Sequence, residues 1–195
     1  MKYTNDTGLP EVFAKAVMRD TYSRGKADIS ATGLLKAPRQ AFLEYQHDDE
    51  IVVDVSKQVW SLFGRACHNI LESGTAKGYI VEQRFFADCS GWTVSGQVDV
   101  QRIDPDGIVL MDWKTRKAYA VMNGRDSDTQ QLNIYAWLLR RNGKEVKDLK
   151  IVNIIRDHSS FEAERNPKYP QTEVVVTDID LWTFAEQEEF VRQKI

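Results

Sequence analysis

Apolar residues recur at helical spacing in one long stretch of the chain, and the stretches after it alternate or run unbroken. From Ser56 onward Val59, Leu62, Phe63, Ala66, Cys67, Ile70 and Leu71 return every three or four positions, which predicts an amphipathic helix closed by Gly74 and Gly78. Three strand-like segments follow at 80–87, 92–103 and 108–113, and Asp104-Pro-Asp-Gly107 supplies a hairpin turn between the last two. Residues 116–128 read as a loop with Asn123-Gly124 as its clearest breaker. A helix is predicted over 129–141, ended by Asn142-Gly143, and a strand over 149–155. Residues 156–171 are polar and hold Pro167 and Pro170, so they read as a long exposed connection before a short strand (173–176) and a final helix (181–195). At the other end, residues 1–28 are weakly specified and partly helical. Ser30 or Thr32 caps a helix through Leu34 and Leu35, and Pro38 opens another in which Ala41, Phe42 and Tyr45 repeat.

The order helix, three strands, helix, strand predicts an α/β fold with a mixed sheet flanked by helices. At 195 residues the expectation is one domain: an N-terminal helical part (1–55), a core (56–155) and a C-terminal extension (156–195). A 42% apolar and 28% charged composition is that of a globular protein, and no apolar run reaches the length of a membrane span. The N-terminus lacks the apolar core of a signal peptide, and Cys67 and Cys89 are too few for a disulfide framework, so a reducing cytoplasm is expected. A net charge of −3 argues against coating nucleic acid by bulk attraction but leaves room for a local basic groove. Candidates for it are Lys36 and Arg39, Arg116 and Lys117, and Arg140 and Arg141; the last pair is better read as surface charge at a helix end.

The chemistry concentrates in two strands. Gly96-Gln-Val-Asp99 delivers one carboxylate, and Asp112-Trp-Lys114 delivers a second with an ammonium two residues on, on the same face of its strand. Two carboxylates beside a lysine suit a hard divalent cation and a phosphate-centred reaction. Asp112 follows the apolar run Ile108-Val-Leu-Met111, so its charge sits at a buried strand and needs a partner; a purely structural Asp112–Lys114 ion pair is the rival reading. Upstream, Gly64-Arg-Ala-Cys-His68 puts a histidine on a helix face shared with Glu72. Downstream, Gln131-Leu-Asn-Ile-Tyr135 puts two polar groups one turn apart, beside an apolar stripe of Leu132, Ala136 and Leu139.

These four motifs, in this order and spanning Gly64 to Tyr135, resemble the PD-(D/E)XK nuclease superfamily in its RecB-like branch, with its GxxxH helix, GxxD strand, (D/E)xK strand and QxxxY helix. The resemblance implies a restriction-endonuclease-like core and a metal-dependent DNA nuclease, an exonuclease of the stand-alone kind that phages use in recombination or DNA processing. It implies Mg²⁺ or Mn²⁺ held by His68, Asp99, Asp112 and the Trp113 carbonyl, activating a water. Lys114 would then be base or stabiliser, with Gln131 and Tyr135 contacting the DNA backbone or supporting the lysine. Glu72 ranks second, as a hydrogen-bond partner of His68, and so does Glu82, through water of the metal's shell. Where some relatives have the iron–sulfur cysteine before a Pro-Arg pair, this chain has Ala37-Pro38-Arg39, so no such cluster is expected. No phosphate loop of a helicase motor occurs. DNA is the expected partner, a single-strand annealing protein a further one by analogy, and no membrane is involved. Trp60, Phe63 or Tyr119 would stack on unpaired bases, although core packing is the better expectation for Phe63. Two alternatives stay open: a catalytically silent nuclease-fold binding protein, and an endonuclease or RNA-directed nuclease with the same site. Strand polarity, the number of metal ions and the oligomeric state are also open.

Overall fold

A computed structural model describes residues 1–19 and 25–195; of the weakly specified opening, residues 20–24 lie outside the described part. The chain runs β1 (Lys2–Thr4), α1 (Glu11–Met18), β2 (Ile29–Ser30), α2 (Ala31–Leu34), α3 (Pro38–Gln46), β3 (Val52–Asp54), a 3₁₀ turn (Val55–Gln58), α4 (Val59–Glu72), β4 (Tyr79–Cys89), β5 (Trp92–Asp104), β6 (Gly107–Arg116), α5 (Ala118–Asn123), α6 (Asp126–Arg141), β7 (Val146–Ile155), α7 (Ser160–Arg165), β8 (Val174–Ile179) and α8 (Phe184–Lys194). This is the expected α/β architecture. Ser30, not Thr32, caps α2 by accepting from Gly33 N, and Pro38 opens α3. The supposed loop after β6 contains α5, and the supposed long connection after β7 contains α7. That second segment is fastened by its own side chains: the Tyr169 hydroxyl donates to Asp157 O and accepts from Ser159 N, while His158 Nε2 lies 2.9 Å from Pro170 O.

The main sheet is mixed. Its order is β4-β5-β6-β7-β8, with β2 added beside the start of β5. Pairing is antiparallel except for β2 with β5 and β6 with β7, and α5 and α6 make the crossover that the parallel β6–β7 pair requires. A smaller parallel pair, β1 with β3, accompanies α1.

Helix α6 holds the sheet together. Leu132, Trp137, Leu138 and Leu139 are fully buried against Val94, Val98, Leu110, Leu149 and Ile151 of the strands and Val191 of α8. Gly96 is where helix and sheet approach most closely: a Cβ there would lie 2.7 Å from Leu138 Cδ1 and 2.8 Å from the Tyr135 ring. The buried Arg116 binds both carboxylate oxygens of buried Asp128, at 2.6 and 3.1 Å, and so locks the first turn of α6 to the end of β6. This removes Arg116 from the candidate basic groove. Lys36 pairs with Glu44, and Arg140 donates to Trp182 O and Gln187 Oε1, so these cations also serve the fold. Among the described residues no helix is long and apolar enough to cross a membrane.

Candidate active site

The site exists because one edge of β5 changes partners. Val94 pairs with β2 through Ile29 and Ser95 through Ser30, while Val100 to Asp104 pair with β6; the intervening 96–99 pair with neither. The β5–β6 ladder ends at Val100 opposite Met111, so Asp99 and Asp112 are the first residues past its end on each strand. There the Asp99 side chain takes over from backbone pairing: its Oδ2 accepts from Trp113 N at 2.9 Å. The divergence opens a cleft of about 1000 Å³. Asp99 and Asp112 lie inside their strands, both buried, not at exposed strand ends.

Strand β4 adds a third carboxylate. Its pairing with β5 is continuous in register except at Glu82, which takes a left-handed backbone with φ of 52°. That conformation costs a non-glycine residue about 1 kcal/mol or more, a strain typical of positions that aim a side chain. Glu82, His68 and Asp99 each place a ligand-type atom within 4.8 Å of the others, and His68 Nδ1 lies 3.7 Å from Asp99 Oδ2. Of the residues ranked second in sequence, Glu82 therefore stands among the metal-type donors. Glu72 also lines the cleft, but among the described residues it makes no hydrogen bond to His68.

On the other side of the opening a polar chain runs into α6. Gln131 donates through Nε2 to Asp112 Oδ1 at 3.0 Å and to the Tyr135 hydroxyl at 2.9 Å, and its Oε1 accepts from Lys114 Nζ at 3.0 Å. Gln131 and Tyr135 are both buried in the cleft wall, where these bonds tie them to the lysine and the carboxylate. Lys114 Nζ is 2.6 Å from Asp112 Oδ2 but off the hydrogen-bonding angle, which leaves that buried oxygen without an aligned donor.

The electrostatics favour an added cation. Burial pushes the Asp99 carboxyl up to about 8 and the Asp112 charge adds to this, while the Trp113 amide and Lys114 oppose it. Glu82 is also raised, chiefly by burial, against a hydrogen bond from Gln97 and the pull of His68. Three carboxylates face one nearby ammonium, and the buried Asp112 Oδ2 has that ammonium as an ion-pair neighbour but no aligned hydrogen bond. A hard divalent cation satisfies that donor set, which is oxygen-rich with one imidazole.

Sequence reasoning missed the positive side of the cleft. Arg19, Arg65 and Arg84 line it. Arg84 donates to Ser95 Oγ and Gln97 Oε1, and Arg65 donates to the Val17 and Arg19 carbonyls. Arg84 was readable as the residue two along from Glu82 on one strand; Arg65 carried no signal, lying inside the Gly64–His68 motif without matching it. Gly64 has ordinary room, since a Cβ there would meet only Thr115 Oγ1 at 3.6 Å, and its place in the cleft wall is what a side chain would change.

Comparison with known proteins gives a fold and a family. No match is found among curated proteins. The crystal structure of SSO0001 superimposes with a TM-score of 0.64 over 94% of this chain and 84% of its own, at 16% identity, a likeness of fold alone. The sheet and its flanking helices are a restriction-endonuclease-like core. The family model of the PD-(D/E)XK nuclease superfamily matches residues 16–192, an interval that contains every residue of the cleft described above, and the chain belongs to that superfamily.

Proposed function

We propose that the protein is a metal-dependent deoxyribonuclease of the RecB-like kind that degrades DNA from an end, in recombination or DNA processing of the phage type. The observation behind this reading is the meeting of Asp99, Asp112, Lys114, His68 and Glu82 in one cleft, with Asp112 Oδ2 buried and lacking an aligned donor. His68, Glu82, Asp99 and Asp112, with the Trp113 carbonyl, would hold Mg²⁺ or Mn²⁺. Such an ion, when bound, supplies Lewis-acid charge to a phosphate and lowers the pKa of water.

The chain's own groups do the rest. Lys114, steadied by Gln131 Oε1, presents its ammonium beside Asp112, where it takes part in proton transfer or offsets negative charge growing on the phosphate. Tyr135 is a positioning residue: its hydroxyl accepts from the amide that holds Lys114 and Asp112. Arg84, Arg65 and Arg19 bring the positive potential that a polyanion needs despite the net charge of −3. The test is cleavage of end-labelled linear and covalently closed circular DNA with Mg²⁺, Mn²⁺ or EDTA, beside Asp112→Ala. Metal-dependent loss of linear DNA alone, absent in the variant, supports the exonuclease. Cleavage of circles makes it an endonuclease, and no cleavage of any DNA points to RNA or to a silent binding protein.

A further inference from the structure

At the start of α4, one turn before Gly64 enters the cleft wall, two aromatic rings face solvent. Trp60 is 56% exposed and Phe63 40% exposed, and they stand edge to face with centroids 6.3 Å apart. The Arg156 guanidinium carbon lies 3.8 Å over the Trp60 ring. Arg156 follows β7, and its amide donates to Arg116 O at the end of β6, the strand that carries Asp112 and Lys114. Among the described residues its guanidinium makes no hydrogen bond or ion pair, and its Nε is buried without an acceptor.

The arrangement is braced from below. Asp157, the next residue, accepts from Ala118 N at 2.7 Å, and the Tyr169 hydroxyl and His158 ring fix the segment that follows. A guanidinium stacked on an indole, with donors to spare, matches one unpaired nucleotide: the base extends the aromatic stack and the phosphate takes the N–H groups.

We infer that Trp60, Phe63 and Arg156 form a docking surface for an unpaired stretch of nucleic acid, so that a single-stranded end is engaged at the rim of the cleft. This rests on the nuclease reading. The surface commits to a polyanion because, among the described residues, the guanidinium it presents has no hydrogen-bond or ion-pair partner; an apolar protein surface would leave those donors unsatisfied.

The experiment is fluorescence anisotropy with a hydrolysis-resistant phosphorothioate oligodeoxythymidine of about a dozen nucleotides. A blunt phosphorothioate duplex of equal length is the second probe, with Mg²⁺ present at several salt concentrations. Trp60→Ala is expected to weaken single-strand binding about tenfold or more, with a smaller effect on the duplex and substantial recovery in Trp60→Phe. Arg156→Ala is expected to weaken it and reduce the slope of log affinity against log salt by about one charge. Thermal melts check that each variant is folded, and Arg156→Lys separates loss of charge from loss of packing. Single-strand affinity unchanged from wild type in the folded variants overturns the inference while leaving Asp112-dependent cleavage, and hence the nuclease reading, intact. A wild-type dimer dissociated by Trp60→Ala, with nucleic-acid affinity unchanged, also overturns it, in favour of self-association. A wild-type protein that neither binds nor cleaves nucleic acid fails both readings.

Discussion

Helices α4 and α6 both read as amphipathic, and they meet opposite fates. Ten of the sixteen residues of α6 are buried, including the polar Asp128, Gln131 and Asn133, whereas α4 buries none of its fourteen. Phe63 and Ile70, expected on a covered stripe, are exposed. Periodicity fixes which residues share a helix face, but what covers that face is decided by other elements. For α6 the cover is β5, β6, β7 and α8, and its buried polar residues Asp128, Gln131 and Asn133 each find a hydrogen-bond partner. For α4 one side is the cleft, where Gly64, His68 and Glu72 stand open. One helix is scaffold that carries a few chemical groups, and the other is a wall of the site.

The largest expected effects fall where the two helices' contributions converge. Asp112→Ala and Lys114→Ala are expected to lower cleavage by about a hundredfold to a thousandfold or more, with the melting transition retained. Initial rates on linear DNA check this, and unchanged activity in either variant would remove that residue from the site. On the α6 side, Arg116→Ala is expected to cost about 3–5 kcal/mol, because it strands the buried Asp128 charge. Urea unfolding checks it; a loss below about 1 kcal/mol would mean that the α6 start is held by other contacts. Gly96→Ala should cost about 1–3 kcal/mol, since its methyl group would press on the Tyr135 ring and Leu138. The cleavage rate should fall with it, because Tyr135 holds Gln131 and through it Lys114.

A smaller effect comes from pH. Burial holds the Asp99 carboxyl near 8 in the folded metal-free protein, against an ordinary value of 3.8. Between those values the folded state keeps a proton that the unfolded chain has lost. Stability therefore declines as pH rises from about 4 to about 8, and divalent metal, which favours the ionised carboxylate, should oppose the decline. Melts in EDTA at several pH values test this; Asp99→Asn should flatten the dependence, and a metal-free protein that gained stability over the same range would contradict the assignment of the shift.

What the chain reveals in advance follows the same division. The strands, the crossover and the four chemical motifs are legible because each rests on local spacing: Asp112 and Lys114 alternate on one strand, and Gln131 and Tyr135 sit one turn apart. Helices α5 and α7 escape notice because each is six residues long, with a polar or broken surround that masks its period. The role of Glu82 depends on a left-handed backbone at one position inside a regular ladder, and that of Arg116 on a partner twelve residues away in α6. Tertiary choices of this kind leave no periodic trace. A glycine inside a strand, as at Gly96, signals a close approach, but that the approaching group is the tyrosine of a later motif is a fact of packing.

The contrast between the two helices is sharpest in paired substitutions. Leu132→Ala in α6 empties a fully buried position and should cost about 2–5 kcal/mol. Ile70→Ser in α4, at a position 71% exposed, should change stability by no more than about 0.5 kcal/mol, although the two residues are equivalent in hydrophobic pattern. Urea unfolding of both variants measures the difference directly. A cost at Ile70 approaching that at Leu132 would show that the outer face of α4 is covered in solution, and the helix would then be scaffold on both sides. A near-zero cost with full activity confines its contribution to the residues facing the cleft.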